Sequence, residues 1–433
     1  MKVFLKSKIS PARALVSIVE YLLAVLIVLE CNSVYSELTG TDLCFSELIV
    51  VCTAVLFIAT FRFTKNDLRN ICVFFFLFAL YVLGLLAANL GNSQNYVLIS
   101  RFLLFLPVMS IYLYRRRRMG SPYKIFEKIA NVITVMAVIS LFFWFAGSIL
   151  GTVKPTGSAV YSWLIERWAP GYFGVYFETQ DISIFGFRVI RNSGIFTEAP
   201  MHNLVLSLAI MVELFLREER SKGRMAILLA TLMSTISVTG LIFVIIIFTM
   251  EFVVGSCQKR GRNKISVQKL LLPVLLIVCG YAVYHIMSIK STSASYSIRM
   301  DDYVAGFKSW LDAPVLGNGF GTYTAVDYMS FFRSDNMGYS NSLMSILAQG
   351  GIYLLLVYLV PLFVLALRGR GRMVIIADGM VYLLATTLFT YSYAALIFIS
   401  LGYSLVIKQT EVRPRATETD ITWRFKENTD TYA

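Results

Sequence analysis

MAILLATLMSTISVTGLIFVIIIFTMEFVV, Met225 to Val254, is 30 residues long. As one helix it would run about 45 Å, well beyond the roughly 30 Å of a bilayer's hydrocarbon core. Basic residues flank it on both sides, Arg217, Arg220, Lys222 and Arg224 before and Lys259, Arg260, Arg262 and Lys264 after. Short basic loops stay on the cytoplasmic face, so both ends belong inside and the stretch must cross an even number of times. Ser237 to Gly240 supplies the residues for a turn, which predicts two short membrane segments. The same parity applies to Val374 to Ile407, with Arg368, Arg370 and Arg372 on one side and Lys408, Arg413 and Arg415 on the other. That stretch is expected to break near Thr390 to Tyr393.

Working outward, apolar runs mark further segments at Ala14 to Glu30, Leu43 to Phe61, Ile71 to Leu90, Val97 to Tyr114, Ile129 to Leu150, Ala199 to Leu216, Val267 to Ile289 and Asn341 to Leu367. The expected fold is therefore all-α: a polytopic membrane protein of about twelve transmembrane segments, one integral membrane domain over 1–433 with both termini cytoplasmic. Composition agrees, since 57% of the 433 residues are hydrophobic and 15% charged, against roughly a quarter charged in soluble domains. A soluble enzyme is excluded. The charged start and first apolar run resemble a signal peptide, but no A-x-A site follows, so a retained helix is expected.

The net charge of +13 would suggest nucleic acid in a soluble chain. Here topology accounts for it. Lys154, Arg167, Arg188, Arg191, Lys290, Arg299, Lys308 and Arg333 fall in external loops, Arg101 lies inside a helix, and the rest of the 39 Lys and Arg fall on the cytoplasmic side. No nucleic-acid partner is implied. The six cysteines form no CxxC pair and neighbour no histidine, so neither a metal site nor a disulfide framework is expected.

Two external loops stand out by length, 151–197 and 290–340. The first carries an aromatic stretch, Tyr161 to Trp168, suited to the membrane interface. In the second, Arg299 to Pro314 sets Tyr303, Phe307 and Trp310 or Leu311 at helical spacing, with Pro314 as a stop. Two roles fit that helix, lying on the membrane surface or capping the bundle. The tail, 412–433, is polar and expected to be disordered. No internal repeat is evident.

The densest polar cluster is FRVIRNSGIFTEAPMHN, Phe187 to Asn203. Arg188 and Arg191 lie outside the bilayer beside a helix start, where guanidinium forks and helix N–H groups suit phosphate or pyrophosphate. Contact with lipid headgroups is the other role open to them. Glu198 suits a general base at a partly dry boundary, or equally a helix N-terminal charge or ion-pair partner. His202 follows on the same helical face, beside Asn203, as a ligand contact or a packing residue; His285 reads as packing alone.

A second cluster joins Ser297–Tyr323 to Gly338–Leu359. Arg299 is a third phosphate candidate, unless it pairs with Asp301 or Asp302. Gly317, Gly319 and Gly321 partly match a dinucleotide fingerprint, but no strand precedes them and tight turns explain them as well. Ser340 and Asn341 open a membrane helix, where Asn can cap and also face a ligand. Arg101, about one turn into a segment, is either a functional cation or one that snorkels outward.

Arg191-Asn-Ser-Gly194-Ile-Phe-Thr-Glu198-Ala-Pro200 resembles the R-x-x-G-x-F-x-E-P signature of Wzy-type O-antigen, capsule and exopolysaccharide polymerases, the O-antigen ligase-like membrane proteins. Arg299, then Pro314, Leu316, Gly317, Gly319, Gly321, Ser340, Asn341, Gly350 and Gly351, resembles that family's C-terminal region. The resemblance covers two blocks. It implies a metal-independent GT-C glycosyltransferase without cofactor, working on lipopolysaccharide, capsule or exopolysaccharide in a bacterial cytoplasmic (inner) membrane. Its substrate would be undecaprenyl pyrophosphate-linked oligosaccharide, with membrane lipids around it and a chain-length regulator and flippase as partners. Arg191 and Arg299 would hold the leaving pyrophosphate and Glu198 would deprotonate the acceptor, with Arg101, Arg188, His202, Asn203, Gly317, Gly319, Ser340 and Asn341 contacting substrate. Two departures are visible, Ala199 between Glu198 and Pro200, and Ser340 where the related ligases carry a His. A ligase-type transferase and a lipid-linked saccharide transporter are the competing expectations.

Overall fold

The computed structural model describes residues 11–39, 44–89, 95–163, 165–184, 186–258, 294–333, 338–369 and 371–408, with scattered residues between 278 and 291. Among these the helices are α1 (Pro11–Glu30), α2 (Phe45–Ala59), α3 (Lys65–Ala88), α4 (Leu98–Arg118), α5 (Lys124–Ile149), α6 (Ala199–Leu216), α7 (Lys222–Ser234), α8 (Val238–Gln258), α9 (Ala294–Asp312), α10 (Ser342–Arg368), α11 (Met373–Thr386) and α12 (Tyr393–Val406). Five, namely α3, α4, α5, α6 and α10, are long and apolar enough to cross a membrane. The protein is a helical membrane protein. The expected segment Val267–Ile289 and the tail 412–433 lie outside the described residues.

Both interrupted stretches break. Between α7 and α8 the chain turns at Thr235 to Ser237, with Ile236 at φ 49°. Between α11 and α12 it leaves the helix over 387–392, and the Ser392 side chain caps α12 by accepting from the Ala394 N–H. Helix α6 is buried along almost its whole length and forms the centre. Around it, α5, α7 and α8 pack on one side, while α10 carries α9, α11 and α12, and α12 leans on α4. Leu77, Leu80 and Leu83 of α3 and Val135, Val138 and Phe142 of α5 are exposed. Such faces suit lipid, where apolar side chains need no protein cover.

The all-α expectation is corrected in the first long loop. Antiparallel strands β1 (Gly157–Trp163) and β2 (Ile165–Tyr172) form a ribbon extended by β3 (Tyr176–Phe177), and β4 (Asp181–Ile184) pairs with β5 (Phe187–Ile190). Alternation divides the aromatic stretch: Tyr161 and Ala169 face in and are buried, while Trp168 faces out. Inward residues pack on Val34 and Leu38 of the α1–α2 connection.

Helix α10 is broken at Gly351, φ 60° and ψ −160°. The loop after α9 repairs it. Asn318 and Gly319 N–H donate to the carbonyls of Ala348 and Gln349 at 2.9 and 3.1 Å, and Ile352 and Tyr353 N–H donate to Pro314 and Val315 carbonyls at 3.0 Å each. A helix broken within a membrane bundle needs this, because lipid offers its backbone no partner.

Candidate active site

Arg191 closes the hairpin of β5 and begins the loop that leads into α6. Its Nε donates to the Thr235 carbonyl at 2.9 Å, in the α7–α8 break, and its Nη1 donates to Gln180 Oε1 at 3.1 Å. Gln180 Oε1 also accepts from the Ala199 N–H at 3.2 Å, so one amide ties the arginine to the first turn of α6. The rest of the loop is laced down. Asn192 N–H reaches the Ser234 carbonyl at 3.1 Å, Asn192 Nδ2 reaches Ser234 Oγ at 2.9 Å, and Thr197 N–H reaches the Asn32 carbonyl at 3.1 Å. Gly194 takes φ 59° with its α-carbon against the His202 ring, a place where a side chain would be strained and crowded.

Arg299 arrives from the other side, on the second turn of α9. Its Nη1 donates to the Thr386 carbonyl at 2.7 Å. Tyr303 Oη donates to the Ala385 carbonyl, and Ser342 donates to the Thr387 carbonyl through N at 3.1 Å and Oγ at 2.9 Å. Three successive carbonyls at the end of α11, left without partners by the helix itself, are thus all satisfied. Tyr382 Oη of α11 donates to the Thr239 carbonyl of α8 at 2.9 Å, stitching the two breaks together.

Arg191, Glu198 and Arg299 share one electrostatic neighbourhood. Burial holds the Arg191 guanidinium below its ordinary value; Glu198 opposes the shift and the like charge of Arg299 adds to it. Burial also lowers Arg299, against the opposing pull of Tyr382, Asp302, Glu198 and Tyr303. Both arginines are half-buried, and the partners described for them are neutral oxygens. Glu198 stands at the N-cap of α6 in extended conformation, half-buried. Tyr161 of the ribbon feels the same carboxylate: burial raises its hydroxyl, opposed by Arg167 across the strand pair and reinforced by Glu198. The cluster is two cations and one anion at ends of broken helices, a setting that can receive a polyanion.

Residues 224–359 match the O-antigen ligase family. The match supports the O-antigen ligase and polymerase-like family, and with it a glycan-transferring function in the membrane. No curated protein and no solved structure matches the chain. The O-antigen ligase match takes in α8, α9, Arg299, the glycine turn and Asn341, and begins beyond Arg191 and Glu198.

Within the O-antigen ligase region, the glycines do structural work. Gly317, φ 73°, lies so close to α10 that an added β-carbon would meet the Gln349 carbonyl carbon at 2.3 Å. Gly319, φ 115°, donates its N–H to the Gln349 carbonyl. Gly319 therefore mends the break in α10 and Gly317 lets the loop approach it closely, so turn and packing account for both. Asn341 Oδ1 caps α10 by accepting from the Met344 N–H at 2.9 Å. The Ser340 N–H donates to Asp302 Oδ2 at 3.0 Å. Asp302 is engaged by Arg333 at 2.6 Å, both side chains fully buried, and Arg333 also meets Asp301. This pair answers the alternative for Arg299, whose bond goes to Thr386 instead.

The remaining expected residues stand apart from the cluster. Arg188 pairs with Asp181 on the exposed face of the β4–β5 hairpin, 79% exposed. His202 is buried, its Nδ1 3.0 Å from the Asn192 carbonyl and its ring stacked on Phe196. It braces the loop from beneath. Asn203 is buried against Gly240 of α8, where an added β-carbon would lie 2.0 Å from its Oδ1. Arg101 is held within the bundle: Nη2 meets Glu30 Oε1 and Nη1 meets the Tyr391 carbonyl, each at 2.8 Å. Cys31 and Cys44 are free thiols. Gln180, Thr235, Thr386, Tyr161, Arg167 and Arg333 were not legible as site-building residues. Three of the six, Gln180, Thr235 and Thr386, act through backbone carbonyls or a neutral amide; only the unmatched Asp301–Asp302 pair hinted at Arg333.

Proposed function

We propose that the protein is a polysaccharide polymerase that joins undecaprenyl pyrophosphate-linked oligosaccharide repeat units on the external face of a bacterial cytoplasmic membrane. The observation that carries this is that Arg191 and Arg299, from a loop and a helix far apart in the chain, lie within electrostatic reach of each other and of Glu198. In this reading the two guanidiniums receive the pyrophosphate of the donor. The bond from the sugar's anomeric carbon to the pyrophosphate oxygen breaks, and its electron pair leaves with the pyrophosphate. The acceptor sugar's hydroxyl oxygen forms the new bond, and its proton passes to Glu198. Fixed cations aimed at a developing charge supply the largest share of such catalysis, and the pyrophosphate ester is the energy source, so neither nucleotide nor metal is required.

A ligase-type transfer of finished glycan is the second reading, favoured by the description of the matching family. The test is deletion in the native host, complemented by wild type and by Arg191→Ala, with lipid-linked and surface glycans displayed on gels. A polymerase predicts loss of the ladder with single repeat units retained at the surface. Long polymer accumulating on the lipid carrier would replace this reading with ligase, and unpolymerised units on the cytoplasmic face would replace it with flippase.

A further inference from the structure

A groove of about 500 Å³ runs between α1 and α5. Tyr21, Val25 and Leu29, one turn apart, form one wall; Asn131, Val132, Val135, Met136 and Ile139 form the other. Each wall spans nine residues, about 12 Å of helix from first to last. Tyr21, Val25 and Val135 are exposed, so the groove opens sideways, where a membrane protein meets lipid. Its volume lies within the range of small-molecule pockets. The inner end is closed by polar groups that satisfy one another: Asn131 Nδ2 donates to Tyr21 Oη at 3.2 Å and Arg217 Nη2 donates to Asn131 Oδ1 at 2.6 Å. The charged groups at that end are paired, Arg217 with Glu213 and Lys128 with Glu20.

The outer end is built from the loop of the proposed active site. Ile195, between Arg191 and Glu198, forms the rim with Tyr35, Gly174 and Val175. That rim is fixed: Val34 N–H donates to the Ile195 carbonyl and Phe177 N–H to the Gly194 carbonyl at 2.8 Å each, and Tyr35 Oη donates to the Gly174 carbonyl. Asn192, next to Arg191, reaches Ser140 Oγ at 3.4 Å, one residue beyond the groove-lining Ile139. An apolar channel entered from the lipid side therefore ends at the loop that carries a phosphate-suited arginine.

We infer that this groove binds the isoprenoid chain of the lipid-linked substrate, with its pyrophosphate directed over the Ile195 rim towards Arg191. The inference rests on the proposed function for the identity of the headgroup, and on the groove alone for the chain. Apolar area along both walls gives affinity, and the exposed side lets the chain enter from the bilayer without crossing water.

The test uses the full chain in phosphatidylglycerol nanodiscs, photolabelled with a long-chain polyprenyl pyrophosphate bearing a diazirine in its isoprenoid chain. Label should map to peptides spanning 21–29 and 131–139. It should fall about tenfold with excess unlabelled polyprenyl pyrophosphate or with Val25→Trp or Met136→Trp, which fill the groove. Leu80→Trp on the lipid face of α3 should label as wild type. Displacement by added phosphatidylglycerol as readily as by polyprenyl pyrophosphate would mark ordinary bilayer lipid and overturn the inference. So would labelling confined to other helices, and the wild-type map decides this even if the Trp variants do not fold. Glycan lengthening by the same preparation separates the two claims: lengthening without groove label defeats the groove, and groove label without any glycan transfer leaves the groove standing while the enzyme reading fails.

Discussion

The α7–α8 break and the α11–α12 break each present a carbonyl to one arginine, but they hold it differently. At the first, Arg191 is fixed by the Thr235 carbonyl and by Gln180, within a loop bonded to α5, α7 and the end of α1. At the second, Arg299 has one bond to the Thr386 carbonyl and rides on α9, whose Met300, Val304, Phe307 and Leu311 form an exposed apolar stripe one or two turns apart. The buried face of α9 is Asp302, Ala305 and Ser309 against α10. One cation is built into the bundle; the other is carried by a surface helix that both caps the bundle and shows an apolar side outward. In the proposed function, one fixed and one carried guanidinium would grip the pyrophosphate from two elements at once.

The largest effects should come from removing either cation. Arg191→Ala and Arg299→Ala should each lower glycan-lengthening turnover on the order of 10²-fold or more in purified protein, with normal insertion. Lys should restore less at Arg191, where two directional bonds hold the fork, than at Arg299, where one does. Equal rescue would erase the proposed difference between the breaks. Glu198→Gln should slow turnover by about 10²-fold while donor binding persists, as removal of a base requires; full turnover would leave Glu198 a helix-terminal charge only.

Gly351→Ala tests the fold, not the chemistry. At φ 60°, with an added β-carbon 2.4 Å from the Val315 carbonyl oxygen, it should destabilise by about 1–3 kcal/mol or more, visible as a lowered melting temperature in detergent. An unchanged melt would mean that the loop after α9 does not hold the broken helix together. Gln180→Ala removes the amide oxygen shared by the Arg191 guanidinium and the Ala199 N–H, a bond to a charged donor worth about 1.5–3 kcal/mol and a neutral one worth roughly 1 kcal/mol, and should cost several-fold in turnover. Arg188→Ala should be nearly silent, since exposed pairs contribute about 0–1 kcal/mol. A severe loss there would move the site out to the hairpin.

Lys and Arg placement made both breaks legible, because parity demands a turn wherever basic loops bracket an overlong apolar run. The first falls at Thr235 to Ser237, beside the expected Ser237 to Gly240, and the second spans 387–392 where Thr390 to Tyr393 was expected. The helix over Arg299 to Pro314 was legible from its aromatic spacing. The ribbon of β1 and β2 was not, since alternation over Tyr161 to Trp168 is hidden by aromatics on both faces. Arg188 and Arg191, three residues apart, carry the same local signal, and only strand pairing sends one outward and the other into the cluster. The glycines of the α9–α10 loop satisfy a motif and a turn equally well; contact with Gln349 and Gly350 is what assigns them to the broken helix.

A double-variant cycle on Arg191→Ala and Arg299→Ala, read as turnover of purified protein on a lipid pyrophosphate-linked glycan, tests whether the two breaks serve one ligand. Groups acting on a shared partner are non-additive. The double variant should therefore be scarcely slower than the worse single variant. A loss equal to the product of the two single losses would place the arginines in separate sites and dissolve the shared pyrophosphate clamp.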